Sequence, residues 1–138
     1  MPMKDSMQGL KLMNTVRQAQ ITSTATGDTI VDLRGYDSVA VVVLPTTVGA
    51  CTDSNHHIYN VFAGDDSGLS DGANLAAADF VAGAVPAPHA ATAHIPQIFP
   101  LAVRNRKRYA RVNMTRVGSG DITCSVYFLL GNPRKEPV

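Results

Sequence analysis

The sequence predicts an all-β protein: a jelly-roll-like antiparallel β-sandwich of about eight short strands, preceded by an N-terminal arm. Three observations predict it. From residue 16 onward apolar residues recur with a period of two rather than 3.6. Clusters of Gly, Asp, Ser, Thr and Pro break that pattern at short intervals, as turns do. No stretch sustains the i, i+3, i+4 spacing of a long amphipathic helix.

Taken in order, residues 1–15 read as the arm. They carry Met1, Met3, Met7, Leu10 and Met13 among polar residues, and methionine adapts to irregular apolar surfaces. Residues 16–22 form the first strand and TATGD the turn after it. Residues 29–33 form the second strand, closed by Arg34-Gly35. SVAVVVL, residues 38–44, is continuous and β-branched, the composition of a central strand covered on both faces, and Pro45 ends it. Residues 57–63 (HIYNVFA) follow a polar loop. GDDSGLSDG is turn material, and ANLAAADF reads as a short strand or one helical turn. Residues 82–96, rich in Ala, Pro and Gly, read as extended chain with irregular breaks. Residues 98–103 form a strand that Pro100 marks as an edge or bulge. Residues 109–117 and 122–130 flank Gly118-Ser119-Gly120-Asp121 and read as an antiparallel hairpin with one buried face. Ala110, Val112 and Met114 face inward from the first strand. Ile122, Cys124, Val126, Phe128 and Leu130 share one face of the second. The body spans residues 16–131, and residues 132–138 form a tail held extended by Pro133 and Pro137.

Composition narrows the function. The chain has 138 residues, 45% hydrophobic and 17% charged, with a net charge of +1. That length suits one domain with a substantial core. The charged fraction is low against the usual ~25%, and the small net charge argues against a free nucleic-acid binder. Neutral surface suits a protein packed against others. Two cysteines, Cys51 and Cys124, make no disulfide framework and no paired metal motif. The N-terminus lacks the apolar core of a signal peptide, and Val39 to Leu44, the longest apolar run, is too short to cross a bilayer. These features describe a soluble protein made in a cytoplasm.

The chemistry is sparse. No Gly-rich phosphate loop or nucleophile elbow is present. His56, His57, His89 and His94 are the only histidines, but adjacent strand residues point to opposite faces, so His56 and His57 do not converge on one metal ion. Asp65, Asp66 and Asp71 lack the spacing of a calcium loop and read as a solvated turn. Cys124, on an apolar strand face, reads as a small buried hydrophobe rather than a nucleophile. The basic stretch RNRKRYARV holds Arg104, Arg106, Lys107, Arg108 and Arg111. It reads first as a charged lead-in to a strand, next as a contact for an acidic protein partner, and last as a phosphate contact, because only Tyr109 accompanies it as a stacking residue. No cofactor, metal site or catalytic set is expected.

Three runs carry a resemblance: GYDSVAVVV, YNVFAGDDSGLSDGANLAAADF and RYARVNMTRVGSGDITCSVYFLLGNPRKEPV. The chain resembles small structural proteins of tailed phages, and among them it is similar to the jelly-roll cement (decoration) proteins of podophage capsids, including phages of Bordetella. The resemblance implies a non-enzymatic virion protein on the outer capsid surface. Such a protein clamps subunits of the major capsid protein and stabilises the shell, binding neither nucleic acid nor membrane directly. It is expected to be a homo-oligomer, with a dimer favoured because isologous pairs are the commonest closed assembly. Met3, Met7, Leu10, Met13, Arg104, Arg106, Lys107, Arg134 and Lys135 are the candidate partner-contacting residues. The alternatives are a tail, neck or fibre accessory protein, or a sandwich that binds carbohydrate or a host surface.

Overall fold

The computed structural model describes residues 10–21, 29–48, 54–85, 96–104, 106–118 and 122–133. They form eight strands: β1 (Lys11–Ile21), β2 (Val31–Asp32), β3 (Tyr36–Val48), β4 (His56–Gly64), β5 (Ala73–Asn74), β6 (Gln97–Pro100), β7 (Tyr109–Val117) and β8 (Ile122–Pro133). A 3-10 turn, Ala77–Asp79, lies between β5 and β6. Among the described residues no helix is long and apolar enough to cross a membrane.

The strands pair as a nested ribbon. β4 pairs with β5, β3 with β6, β2 with β7 and β1 with β8, all antiparallel. The contacts β3·β8 and β4·β7 then roll the ribbon into two sheets, ordered β1-β8-β3-β6 and β2-β7-β4-β5. This is the jelly-roll arrangement of two packed antiparallel sheets.

Strand alternation builds the core between the sheets. One sheet contributes Val39, Val41, Val43, Val126, Phe128 and Leu130, and the other Tyr59, Val61, Ala110, Val112 and Met114. Burying each of the larger side chains stabilises the fold by roughly 1.5–3 kcal/mol before chain entropy is counted. The layers meet directly: Cys124 Sγ lies 3.6 Å from Met114 Sδ. Phe80, just after the 3-10 turn, packs edge-on against Phe99 at 6.3 Å and helps close one end.

Four sequence expectations change. Residues 109–117 and 122–130 are not a hairpin. β7 and β8 lie in opposite sheets, and the Gly118 turn carries the chain across the sandwich. Apart from Ile122, whose side chain lies outside those described, the inward residues are those expected, because strands facing each other across a core show the same alternation as strands side by side. Second, the arm is shorter than 15 residues. Lys11 to Asn14 already pair with β8, and Met13 packs against the core. Third, Pro45 does not end β3 but sits inside it opposite Cys124, next to a register shift. β6 pairs only Ala40 to Val43, so among the described residues β3 has one partner at Pro45, where a missing N–H is tolerated. Fourth, β8 runs on to Pro133, so the extended tail does not begin at residue 132.

The edge between the sheets is pinned by one hydroxyl. Thr15 is fully buried. Its Oγ1 donates to the Thr29 carbonyl at 2.9 Å and accepts from the Val112 N–H at 3.3 Å. β1 of one sheet is thereby tied to β7 of the other.

Candidate functional site

The basic stretch sits at one end of the sandwich, and most of its charge is answered from within the chain. Arg108 makes a two-pronged contact with Asp32, Nε to Oδ1 at 3.2 Å and Nη2 to Oδ2 at 3.0 Å. Its guanidinium also lies 4.8 Å from the Tyr109 ring centre. Lys107 Nζ meets Asp65 Oδ2 at 2.9 Å. Arg106 reaches back to the start of β3 and donates to the Asp37 carbonyl at 3.0 Å and to the Tyr36 carbonyl. Arg104 is exposed. A shallow open pocket of about 230 Å³ lies among Arg34, Tyr36, Asp65, Arg106 and Arg108.

The acidic loop after β4 is organised by its own carboxylates. Asp71 accepts from the Asp65 and Asp66 amides at 2.9 and 3.0 Å. Asp66 accepts from Gly68 and Ser70 at 2.9 and 3.3 Å. Hydrogen bonds to the ionised form lower a carboxyl pKa. The Arg108 guanidinium holds Asp32 below its ordinary value, and Lys107 does the same for Asp65. Amide donors lower Asp66, chiefly from Ser70, and Asp71, chiefly from Asp66. These acids are turn-builders and ion-pair partners.

The remaining candidates separate in the same way. His57 is fully buried on the core face of β4 while His56 is half-buried on the other face, so the two do not converge. No group of three or more His, Cys, Asp or Glu side chains placed to hold a metal occurs among the described residues. Cys124 is buried, and desolvation pushes its thiol up to about 12. His89, His94, Cys51, Met3, Met7, Arg134 and Lys135 lie outside the described residues. Of the proposed partner-contacting set, Leu10 and Arg104 are exposed, Met13 turns toward the core, and Arg106 and Lys107 are held by Tyr36, Asp37 and Asp65.

The two outer faces differ sharply in character. On the β2-β7-β4-β5 sheet the face is polar. Asn60 Nδ2 donates to Thr115 Oγ1 at 3.0 Å, and the Arg111 guanidinium lies 5.6 Å from the Phe62 ring centre. On the β1-β8-β3-β6 sheet the register places Leu12, Leu129, Ala40 and Pro100 in one row across all four strands. Asn14, Tyr127, Val42 and Ile98 form the next, with Leu44 and Ser125 beyond. Among the described side chains none in these rows is charged. Leu12 is 53% exposed and Ile98 62%. Beside them runs a largely apolar groove of about 320 Å³ lined by Leu10, Ala40, Val81, Pro100 and Leu129, with Asp37 and Ser38 also in its wall. Of the contact residues drawn from the sequence, Leu10 borders this face and the rest of it was missed, although the unbroken SVAVVVL of β3 was its signal.

No protein-family model matches the chain, and no curated protein does.

Proposed function

We infer that this chain is a structural virion protein, a capsid cement (decoration) protein that binds the outside of a major capsid protein shell and stabilises it. The observation that carries the reading is the outer face of the β1-β8-β3-β6 sheet, whose described side chains are largely apolar, on a body with a filled core. Large contiguous apolar patches on a folded domain mark association surfaces. The charged end also favours a structural role, since Arg106, Lys107 and Arg108 are spent on Tyr36, Asp37, Asp65 and Asp32 rather than presented to a ligand. A rigid β body of this kind clamps a lattice by many weak contacts whose combined avidity exceeds any one of them.

Co-sedimentation of the purified chain with assembled shells tests the reading. Binding at high copy number supports it, and shells lacking the protein are expected to disrupt at lower stress. Absence from purified virions would sink it, and a few copies per particle would assign the chain to a tail, neck or fibre instead. Charge reversal at exposed Arg104 tests the acidic-partner contact without disturbing the fold. Reversal at Arg106 or Lys107 does not separate the two effects, because both hold loops together.

A further inference from the structure

We propose that the pocket at the basic end of the sandwich receives an acidic side chain, Asp or Glu, of a partner protein, and that Arg34 is the residue that grips it. The pocket holds about 230 Å³, and four cationic side chains, Arg34, Arg106, Lys107 and Arg108, line it against one carboxylate, Asp65. Leu33 and Val103 add apolar wall. A concavity lined mainly by one sign of charge between low-dielectric walls focuses the field and gathers counter-ions.

The four cations are not equivalent. Lys107 faces Asp65, Arg108 bridges to Asp32, and Arg106 is tied to the Tyr36 and Asp37 carbonyls. Those three form the wall. Arg34 is exposed, and among the described residues its guanidinium has no ion-pair partner. Its main chain is nevertheless fixed. The Arg34 N–H donates to Asp32 Oδ1 at 2.9 Å, the same oxygen that accepts from Arg108 Nε at 3.2 Å. The Leu33 N–H donates to the Arg108 carbonyl at 2.7 Å. One carboxylate thus sets the turn that carries Arg34 against the strand that carries Arg108. The wall needs no reordering when a ligand arrives, which lowers the entropy cost of binding.

Size and geometry select the ligand. The volume falls below the ~300–1,000 Å³ of small-molecule sites, so the pocket suits one or two side chains. A guanidinium fork matches a carboxylate with two parallel hydrogen bonds, and Arg108 with Asp32 already shows that pairing next to the pocket. A nucleic-acid backbone is the poorer fit. Duplex DNA presents about one charge per 1.7 Å along its axis and calls for a track of cations, whereas these converge on one hollow. The ring of neighbouring Tyr109 lies against Arg108. The inference adds a partner chemistry to the virion reading and rests on that reading only for what carries the acid.

The test is a titration of the isotope-labelled full chain, followed by backbone amide shifts, with a capped peptide of alternating Gly and Glu and with its Gln counterpart. Wild type is expected to show saturable shifts at Arg34, Gly35 and Lys107 with the Glu peptide alone, weakening as salt is added. Arg34→Gln keeps the amide that Asp32 holds, so it is expected to melt like wild type and to bind about tenfold more weakly. Lys11→Gln removes an exposed cation outside the pocket and is expected to bind as wild type does. The proposal is overturned by a wild type without saturable shifts, by equal binding of the Gln peptide, or by a folded Arg34→Gln that binds as tightly as wild type. Tighter binding of a thymidine oligonucleotide, lost in Arg34→Gln, would give the pocket to phosphate and overturn it as well. Peptide binding by a chain that ignores shells would uphold the pocket and sink the virion reading, and shell binding without peptide binding would do the reverse.

Discussion

Replacing Thr15 with valine removes a single oxygen from the junction between the sheets. The shapes match, so packing is preserved and the hydroxyl is what the experiment weighs. Thr15 Oγ1 accepts from the Val112 N–H and donates to the Thr29 carbonyl. Val112 is fully buried, so its amide loses its partner with no water to replace it, at a cost of about 1–3 kcal/mol. Thr29 is exposed and its carbonyl can turn to solvent, so its lost bond adds only about 0.5–1 kcal/mol. The extra methyl of valine returns up to about 0.8 kcal/mol. The expected net loss is about 1–3 kcal/mol, read as a lower denaturant midpoint at unchanged slope. Thr15→Ser keeps the hydroxyl and loses one methyl, about 1 kcal/mol or a little more. If Thr15→Val proves as stable as wild type, or clearly more stable than Thr15→Ser, the hydroxyl is not what ties the sheets together.

Acid should unfold the charged end first. Asp32, Asp65, Asp66 and Asp71 are all held below the ordinary aspartate value of 3.8 in the folded state, so their contribution is full above 3.8 and fades as pH falls through the lowered values. A denaturant midpoint followed from neutral pH to about 2 should be level and then drop, and Asp71→Asn should flatten that drop; a level profile throughout would contradict the assignment. In a Cys51→Ser background, Cys124, with its thiol raised to about 12 by burial, should resist a disulfide reagent at mildly alkaline pH until the protein is unfolded. Rapid labelling of the native protein would show that the core is open there. Gly118→Ala should destabilise by about 1–3 kcal/mol, because Gly118 sits at φ +70° and a Cβ there meets Asn55 and the Ser54 carbonyl; a stability equal to wild type would mean that the turn relaxes freely.

Much of this fold is legible in the sequence because alternation reports directly which side of a strand is buried. Ala110, Val112, Met114, Cys124, Val126, Phe128 and Leu130 all face the core as their spacing requires. What alternation does not report is the strand alongside. β7 and β8 are consecutive, joined by a glycine turn and patterned like a hairpin, yet each finds its neighbours elsewhere, in β2 and β4 or in β1 and β3. Pro45 misleads for a related reason: whether a proline ends a strand depends on which of its sides needs an N–H. The site is less legible than the fold. The eye goes to charge, and Arg106 and Lys107 are the obvious contact residues until the chain brings Tyr36, Asp37 and Asp65 against them from more than 40 positions away. The largely apolar face is invisible as a patch because Leu12, Ala40, Ile98 and Leu129 come from four separate strands, side by side only after the ribbon rolls.

The nesting of the ribbon also fixes an order of assembly. β4 and β5 are close in the chain and can meet early, whereas β1 waits for β8, more than 100 residues away. Until β8 arrives, β3 and β1 have no common neighbour, and the valine-rich β3 lacks its longest partner. Sandwiches dominated by such distant pairings fold in milliseconds to seconds rather than microseconds. During that interval the open edge of an aliphatic strand stands exposed to other chains. Lesions late in β8 are therefore expected to show first as lost yield in the cell and only then as a lower melting temperature.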